Sequence, residues 1–232
     1  MTFPKGSFTS IVGQSGCGKS TIASLLMGVN QGYEGHVLVG DQELSEVTES
    51  SLMANMTMVT HQSYLFKGTV RDNLLMACPN ANEDAMFDVL KRVNLLDFVL
   101  SEQGLDTQLE EKASNLSGGQ RQRLAIARAL LHDTQVYIFD EATSNIDMES
   151  ENDIMSVIHE LAQEKTIILI SHRLANVVKS NRIYMMQKGT VVEHGTHAEL
   201  LKQQGAYANL FNHQSELEQY GSAEHKEVAI DA

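Results

Sequence analysis

An apolar run from Phe8 to Val12 leads directly into Gly13-Gln14-Ser15-Gly16-Cys17-Gly18-Lys19-Ser20, and this junction constrains the fold more than any other part of the chain. The segment fills every position of the pattern G-x-x-x-x-G-K-[ST]. Glycines at its fixed positions let successive backbone N–H groups curl around an anion. A helix beginning at Lys19 would add its unpaired N-terminal donors and the positive end of its dipole. Strand, anion-shaped loop and helix in that order predict a βα unit of an α/β protein. Lys19 has the reach to meet β- and γ-phosphates. Ser20 offers a short hydroxyl to Mg²⁺, and Thr21 is the expected neighbour of an α-phosphate.

A second apolar run, Val136-Tyr137-Ile138-Phe139, reads as a buried parallel strand that delivers Asp140 and Glu141 at its carboxyl end. Ligands bind at that end of the strands in open α/β sheets. Two adjacent carboxylates in a surface loop would be solvated and inert, but a strand leading straight into them gives them fixed positions. Asp140 is expected to hold Mg²⁺ through water, and Glu141 to orient and polarise an attacking water as general base. Phosphoryl transfer needs positioning and charge stabilisation more than covalent chemistry.

Between these segments lies Leu116-Ser117-Gly118-Gly119-Gln120. Ser117 is a hydroxyl cap, and Gly118 and Gly119 leave backbone N–H groups open to close approach by phosphate. Leu124, Ala125, Ile126, Ala129 and Leu130 continue the segment as an amphipathic helix. Together the three segments resemble the signature, Walker A and Walker B motifs of an ATP-binding cassette (ABC) ATPase, and the resemblance runs from about Phe8 to about Phe211.

The resemblance implies a P-loop NTPase core of α/β class with an inserted α-helical subdomain and an antiparallel β subdomain. It implies ATP and Mg²⁺ as ligands. It also implies a second ABC nucleotide-binding domain, identical or not, because in the family the signature helix of one subunit points at the γ-phosphate held by the other. Ser117, Gly118, Gly119 and Gln120 would then serve the partner's nucleotide. Three smaller positions follow from the same likeness. Gln62, after the apolar stretch Met56 to Val59, matches the Q-loop residue that senses Mg²⁺ and the attacking water. His172, after Thr166 to Ile170, matches the switch histidine at the γ-phosphate. Ser144-Asn145-Ile146-Asp147 matches the D-loop, with Asp147 at the acidic position and Asn145 replacing the usual small residue.

Cassettes of this family carry an adenine-stacking aromatic roughly two dozen positions before Walker A, whereas Phe3 stands only ten residues before Gly13 and is assigned to a strand flanking the turn at Pro4-Lys5-Gly6. The expectation is therefore a partial gene product with a truncated antiparallel β subdomain. It should bind ATP more weakly, since base stacking is worth about 1–3 kcal/mol in nucleic-acid complexes.

The 232 residues suffice for one sizeable core with an inserted subdomain. No run approaches the roughly 18 apolar residues needed to cross a bilayer, and residues 1–10 lack the apolar region of a signal peptide. Cys17 and Cys78 are too few for a disulfide framework and suit a reducing compartment. A net charge of −13 disfavours a nucleic-acid-binding surface, which would need clustered lysine and arginine to neutralise phosphates. No internal repeat suggests a second cassette.

The coarse pattern places the nucleotide-binding core, with part of the antiparallel subdomain, at residues 1–62 and 134–214. The helical subdomain carrying the signature falls at 63–133, with Met86, Val89, Leu90 and Val93 at helical spacing. A final helix is expected from Ala206 to Glu218, and residues 215–232 read as a flexible acidic tail.

Leu65 to Leu74, Glu141-Ala142-Thr143, His172-Arg173-Leu174 and Val192 to His197 resemble export-type cassettes, in which transmembrane permease domains precede the ATPase on the same chain. The segment Thr107 to Ser114 matches the loop that meets those domains, with Glu111 at its acidic position, although Glu110 and Ala113 replace expected glycines. The implied function is ATP hydrolysis driving export of an unspecified substrate, at the cytoplasmic face of a membrane. A soluble ABC ATPase acting as a regulatory or mechanical module is the alternative. An inactive nucleotide-binding subunit is disfavoured by intact Glu141, His172, Ser117 and Gly119.

Overall fold

The computed structural model describes residues 1–144 and 146–228, with residues 218–228 as backbone alone. In chain order the elements begin with β1 (Phe8–Gly13), α1 (Lys19–Leu26), the hairpin strands β2 (Leu38–Val39) and β3 (Gln42–Glu43), α2 (Glu49–Asn55) and β4 (Met56–Thr60). Next come β5 (Gly68–Thr69), α3 (Val70–Leu75), α4 (Glu83–Arg92), α5 (Leu96–Ser101), β6 (Gln108–Leu109) and α6 (Gly118–His132). The last stretch holds β7 (Val136–Asp140), α7 (Met148–Leu161), β8 (Thr166–Ile170), β9 (Arg182–Gln187), β10 (Thr190–Gly195), α8 (His197–Gln203) and α9 (Ala206–Val228). The chain divides into two compact units, one of Met1, 8–19 and 169–232, the other of 2–7 and 20–168.

In the first unit, every residue of β1 is buried. A strand covered on both faces has no solvent side to alternate with, which is why its sequence reads as a nearly unbroken apolar run. β1 runs parallel to β9, with Thr9 opposite Arg182 and Gly13 opposite Met186. β9 turns through Lys188 and Gly189, both at positive φ, into antiparallel β10. A bulge falls between Val191 and Glu193. Beyond it, the Glu193 carboxylate accepts hydrogen bonds from the Ala206 and Tyr207 amides, so a negative charge sits at the amino end of α9. Tyr207 is buried with its hydroxyl 2.8 Å from His197 Nδ1, and burial pushes the phenol up to about 12.

The second unit is built around α6. β4 and β7 pair in parallel, Thr60 lying opposite Asp140. α3, α4, α7 and β4 all pack on α6. Leu124 and Ile126 are fully buried there, each such side chain contributing about 1.5–3 kcal/mol relative to exposure. α4 shows how local rules set one element. Asn82 caps it by accepting from the Ala85 amide at 2.8 Å, Glu83 and Asp84 occupy its first turn, Lys91 and Arg92 its last, and Met86, Val89 and Leu90 face inward. Asn73, fully buried, bridges the Phe66 amide and carbonyl and the Thr69 carbonyl, fixing the start of α3.

Two local expectations differ. Residues 1–7 form no strand. Ser7 donates to the Pro4 carbonyl across a turn at Lys5-Gly6, where Pro4 has no amide to offer a ladder and Gly6 takes φ +69°. The final helix does not stop at Glu218. It continues to Val228 through a segment rich in good helix formers, so most of the expected flexible tail is helical, while residues 229–232 lie outside the described residues.

Candidate nucleotide-binding site

The phosphate loop closes β1 in the first unit. Gly13 has φ +150°, and a Cβ there would lie 2.3 Å from the Met186 carbonyl oxygen and 2.8 Å from Cys17 Sγ. Gly16 has open space around it but φ +75°, a conformation that side chains resist. The loop is tied down where the Cys17 amide meets the Gln14 carbonyl and the Gly189 amide meets the Cys17 carbonyl. Gln14 and Ser15 stay exposed beside it. Lys19 is buried, and its ammonium donates to the Gly13 and Gln14 carbonyls at 3.0 and 3.1 Å. A buried cation held on the loop's own carbonyls is stationed where phosphate charge would be received.

His172 belongs to this unit as well, two residues past β8. Its carbonyl accepts from Gln214 Nε2 at 2.6 Å, while Gln214 Oε1 accepts from the Leu174 amide at 2.9 Å. A single side chain from α9 thus spans the loop that carries His172. Sequence reading did not find Gln214, because a polar residue on a surface helix carries no local signal of a partner 42 positions away.

In the second unit, the Ser20 hydroxyl donates to Asp140 Oδ1 at 3.3 Å across 120 positions of sequence. Asp140 is nearly buried at the end of β7. These two oxygens are hard donors of the kind Mg²⁺ selects. Thr21 is exposed beside Ser20, and Gln62 is exposed in the turn leaving β4, two residues past the partner of Asp140. The turn is secured by Gln122 of α6, which donates to the Thr60 carbonyl at 3.1 Å, and by Ser63.

Glu141 adopts φ +52°. Its carbonyl accepts from both the amide and the hydroxyl of Ser144, closing the turn that follows β7. A left-handed non-glycine residue costs about 1–3 kcal/mol and is retained where its surroundings dictate it. The side chain is thereby redirected at the strand's carboxyl end, a feature invisible to sequence patterns.

The amino end of α6 is a reciprocal cap. Ser117 Oγ accepts from the Gln120 amide at 3.1 Å, and Gln120 Oε1 accepts from the Ser117 amide at 2.9 Å. Gln120 therefore turns back on its own helix. Gly119 is bare for a reason that sequence reading did not supply. A Cβ there would lie 2.3 Å from Ser150 Oγ and 3.5 Å from Asp147 Oδ2. Asp147 caps α7 by accepting from the Ser150 amide at 2.8 Å. Its carboxyl is held below the ordinary range by hydrogen bonds from the Ser150 amide and then the Ser150 side chain, with the Arg123 charge adding to them. The unit thus brings Ser117–Gly119 and Asp147 together. Asn145 lies outside the described residues.

In the loop expected to meet a membrane partner, Ala113 takes φ +50°, a left-handed conformation that favours glycine, whereas Glu110 at φ −74° is ordinary extended backbone.

A strand-borne phosphate loop in the first unit, and in the second a hydroxyl paired with a strand-end carboxylate, are the features of a P-loop nucleotide-binding protein. The model of the ABC transporter family matches residues 1–144, well over half of the chain, and the chain belongs to that family. It is 50% identical to an uncharacterized ABC transporter ATP-binding protein of Haemophilus influenzae over 90% of this chain and 37% of that protein. It is 39% identical to the glutathione/L-cysteine transport system ATP-binding/permease protein CydC of Escherichia coli, over 87% of this chain and 35% of that one. Among solved structures, a bacterial Atm1-family ABC exporter with ATP bound matches with a TM-score of 0.86 at 37% identity, over 91% of this chain and 37% of the exporter. The chain spans little more than a third of the length of these relatives. The α/β P-loop fold of an ABC ATPase is thereby established.

Proposed function

We propose that this chain binds Mg·ATP and hydrolyses it in composite sites formed with a second ABC nucleotide-binding domain, and that this cycle drives export through transmembrane permease domains at the cytoplasmic face of a membrane. The observation that carries the reading is the Ser20–Asp140 pair, because two hard oxygen donors 120 positions apart in sequence meet at the carboxyl end of β7.

In this reading the amides of residues 13–18 and the Lys19 ammonium receive the β- and γ-phosphates, with Thr21 beside the α-phosphate. Ser20, Asp140 and Gln62 hold Mg²⁺ directly or through water, and the ion neutralises charge on the phosphate oxygens when bound. Glu141 accepts a proton from the attacking water, and His172, braced by Gln214, contacts the γ-phosphate. Ser117, Gly118, Gly119, Gln120 and Asp147 serve the nucleotide of the second domain. Gln120 would act through its amide nitrogen, since its oxygen is engaged in the helix cap.

Support for a permease partner comes from the second unit. A cleft of about 410 Å³ is lined by Thr57, Met58, Tyr64, Phe66, Met76 and Arg128 among others, with Tyr64, Phe66 and Met76 exposed. No described helix is long and apolar enough to cross a membrane, so spanning segments would come from elsewhere. Related transporters are named for different cargoes, glutathione/L-cysteine in one case and lipid A-core in another, so the cassette alone specifies no substrate. With an excess of acidic over basic residues, nucleic acid is not a proposed partner.

The test is Mg²⁺-dependent ATP hydrolysis by the purified chain across a protein concentration series. Turnover per chain should rise with concentration and fall at least about a hundredfold in Glu141→Gln, which keeps ATP binding. Turnover independent of concentration, or retained in Glu141→Gln, would overturn the reading.

A further inference from the structure

Arg123 lies one turn inside α6, past the Ser117 cap, and its guanidinium is mostly shielded. One nitrogen donates to Ser150 Oγ at 3.1 Å and pairs with Asp153 Oδ2 at 2.9 Å, both on α7. The other donates to the Asn94 carbonyl at 3.1 Å, where the chain leaves α4 in a left-handed turn. The remaining Nε is buried without a hydrogen-bond partner. A guanidinium serving surface charge alone would rotate to satisfy that nitrogen or leave it in water. Here both outer arms are served at its expense, which marks a side chain whose orientation is fixed by what it joins.

What it joins is specific. Ser150 is the residue whose amide caps onto Asp147 and whose Oγ fills the space left by the missing side chain of Gly119. One hydroxyl therefore touches Arg123, backs the glycine of the anion-facing helix end, and sits in the turn that holds Asp147. Motion of α7 against α6 would separate Asp147 from Ser117–Gly119 and would first have to break the Arg123 contacts.

We propose that Arg123 is a positioning residue that locks the Ser117–Gly119 end of α6 and Asp147 of α7 into one rigid face presented to the second nucleotide-binding domain. This rests on the composite-site reading above. In this proposal Arg123 acts through Ser150, Asp153 and the Asn94 carbonyl. Its effect is on how well two faces of the same chain arrive together, so it should alter assembly of the composite site and leave the chain's own phosphate loop untouched.

Two variants probe this. Arg123→Lys keeps the charge near Asp153 but cannot fork to both sides, and Ser150→Ala removes the shared hydroxyl while keeping the Asp147 backbone cap. For each, hydrolysis is followed across protein concentration, and the affinity for a fluorescent ATP analogue is measured at dilute protein, where only the chain's own loop contributes. The expected result is a roughly tenfold higher protein concentration for half-maximal turnover, an unchanged affinity at dilution, and a double variant less damaging than the sum of the two single variants because they share the Arg123–Ser150 contact. A midpoint that stays put in both variants would sink the proposal. So would a parallel loss of affinity at dilution, the mark of a general folding defect. A wild-type chain whose turnover ignores concentration would instead bring down the composite-site reading, and this inference with it.

Discussion

The phosphate loop and the amino end of α6 look alike in sequence, each a pair or triplet of glycines where a helix begins, yet the two are glycine-rich for different physical reasons. In the loop, Gly13, Gly16 and Gly18 all take positive φ, and the backbone itself bends in ways a side chain resists. At α6 no unusual backbone is needed. Gly119 is bare because another helix stands where its side chain would be. One site spends its glycines on curvature and the other on proximity. Glycine in a motif therefore marks that something comes close without saying whether it is a ligand, the same backbone, or a neighbouring helix.

Substitution can separate these cases. Gly13→Ala should be the most damaging, since its Cβ would meet a backbone carbonyl that cannot move without shifting β9. A loss of about 3 kcal/mol is expected in urea unfolding, with nucleotide binding abolished. Pairing it with Cys17→Ala should recover little, and a substantial recovery would show that the Cys17 sulfur was the real obstacle. Gly119→Ala should cost less, about 1–2 kcal/mol, because the obstacle is a side chain. Introduced into a Ser150→Gly background, the same change should cost less than half as much; an equal cost would mean that helix packing is not why Gly119 is bare. The smallest effect concerns the Asp147 cap. Its folded pKa lies below the ordinary value of 3.8, so its stabilising contribution is complete above that value and is lost as pH falls through the lower folded one. Thermal melts of the wild type and Asp147→Ala should accordingly differ at neutral pH and converge as the pH drops below about 4. A gap that persists in acid would show that the charge is not what matters.

Much of the fold was legible because it follows from local patterns. β8 occupies Thr166–Ile170 as its apolar run requires, and Leu124, Ala125, Ile126, Ala129 and Leu130 are all buried on α6. Asp140 stands at a strand end because Val136–Phe139 must be covered on both faces. What could not be read depends on residues far apart. The left-handed Glu141 is dictated by its turn and surroundings rather than by composition. The Gly119–Ser150 approach joins positions 31 apart in no repeating pattern. Ala113 holds a left-handed φ that its own side chain disfavours, which no pattern of residue types announces. The strand expected around Phe3 does not form, since Pro4 has no amide for a ladder and Gly6 turns the chain at φ +69°.

Gln214 sets a boundary for anyone shortening this chain. Because its amide grips both ends of the loop bearing His172, a version trimmed between Gln203 and Gln214 would still contain the phosphate loop, both strand-end carboxylates and the α6 cap, and would look complete by motif inspection. It would nevertheless have lost the brace of its histidine loop. Motif completeness and mechanical completeness are different properties, and here they part company at one glutamine.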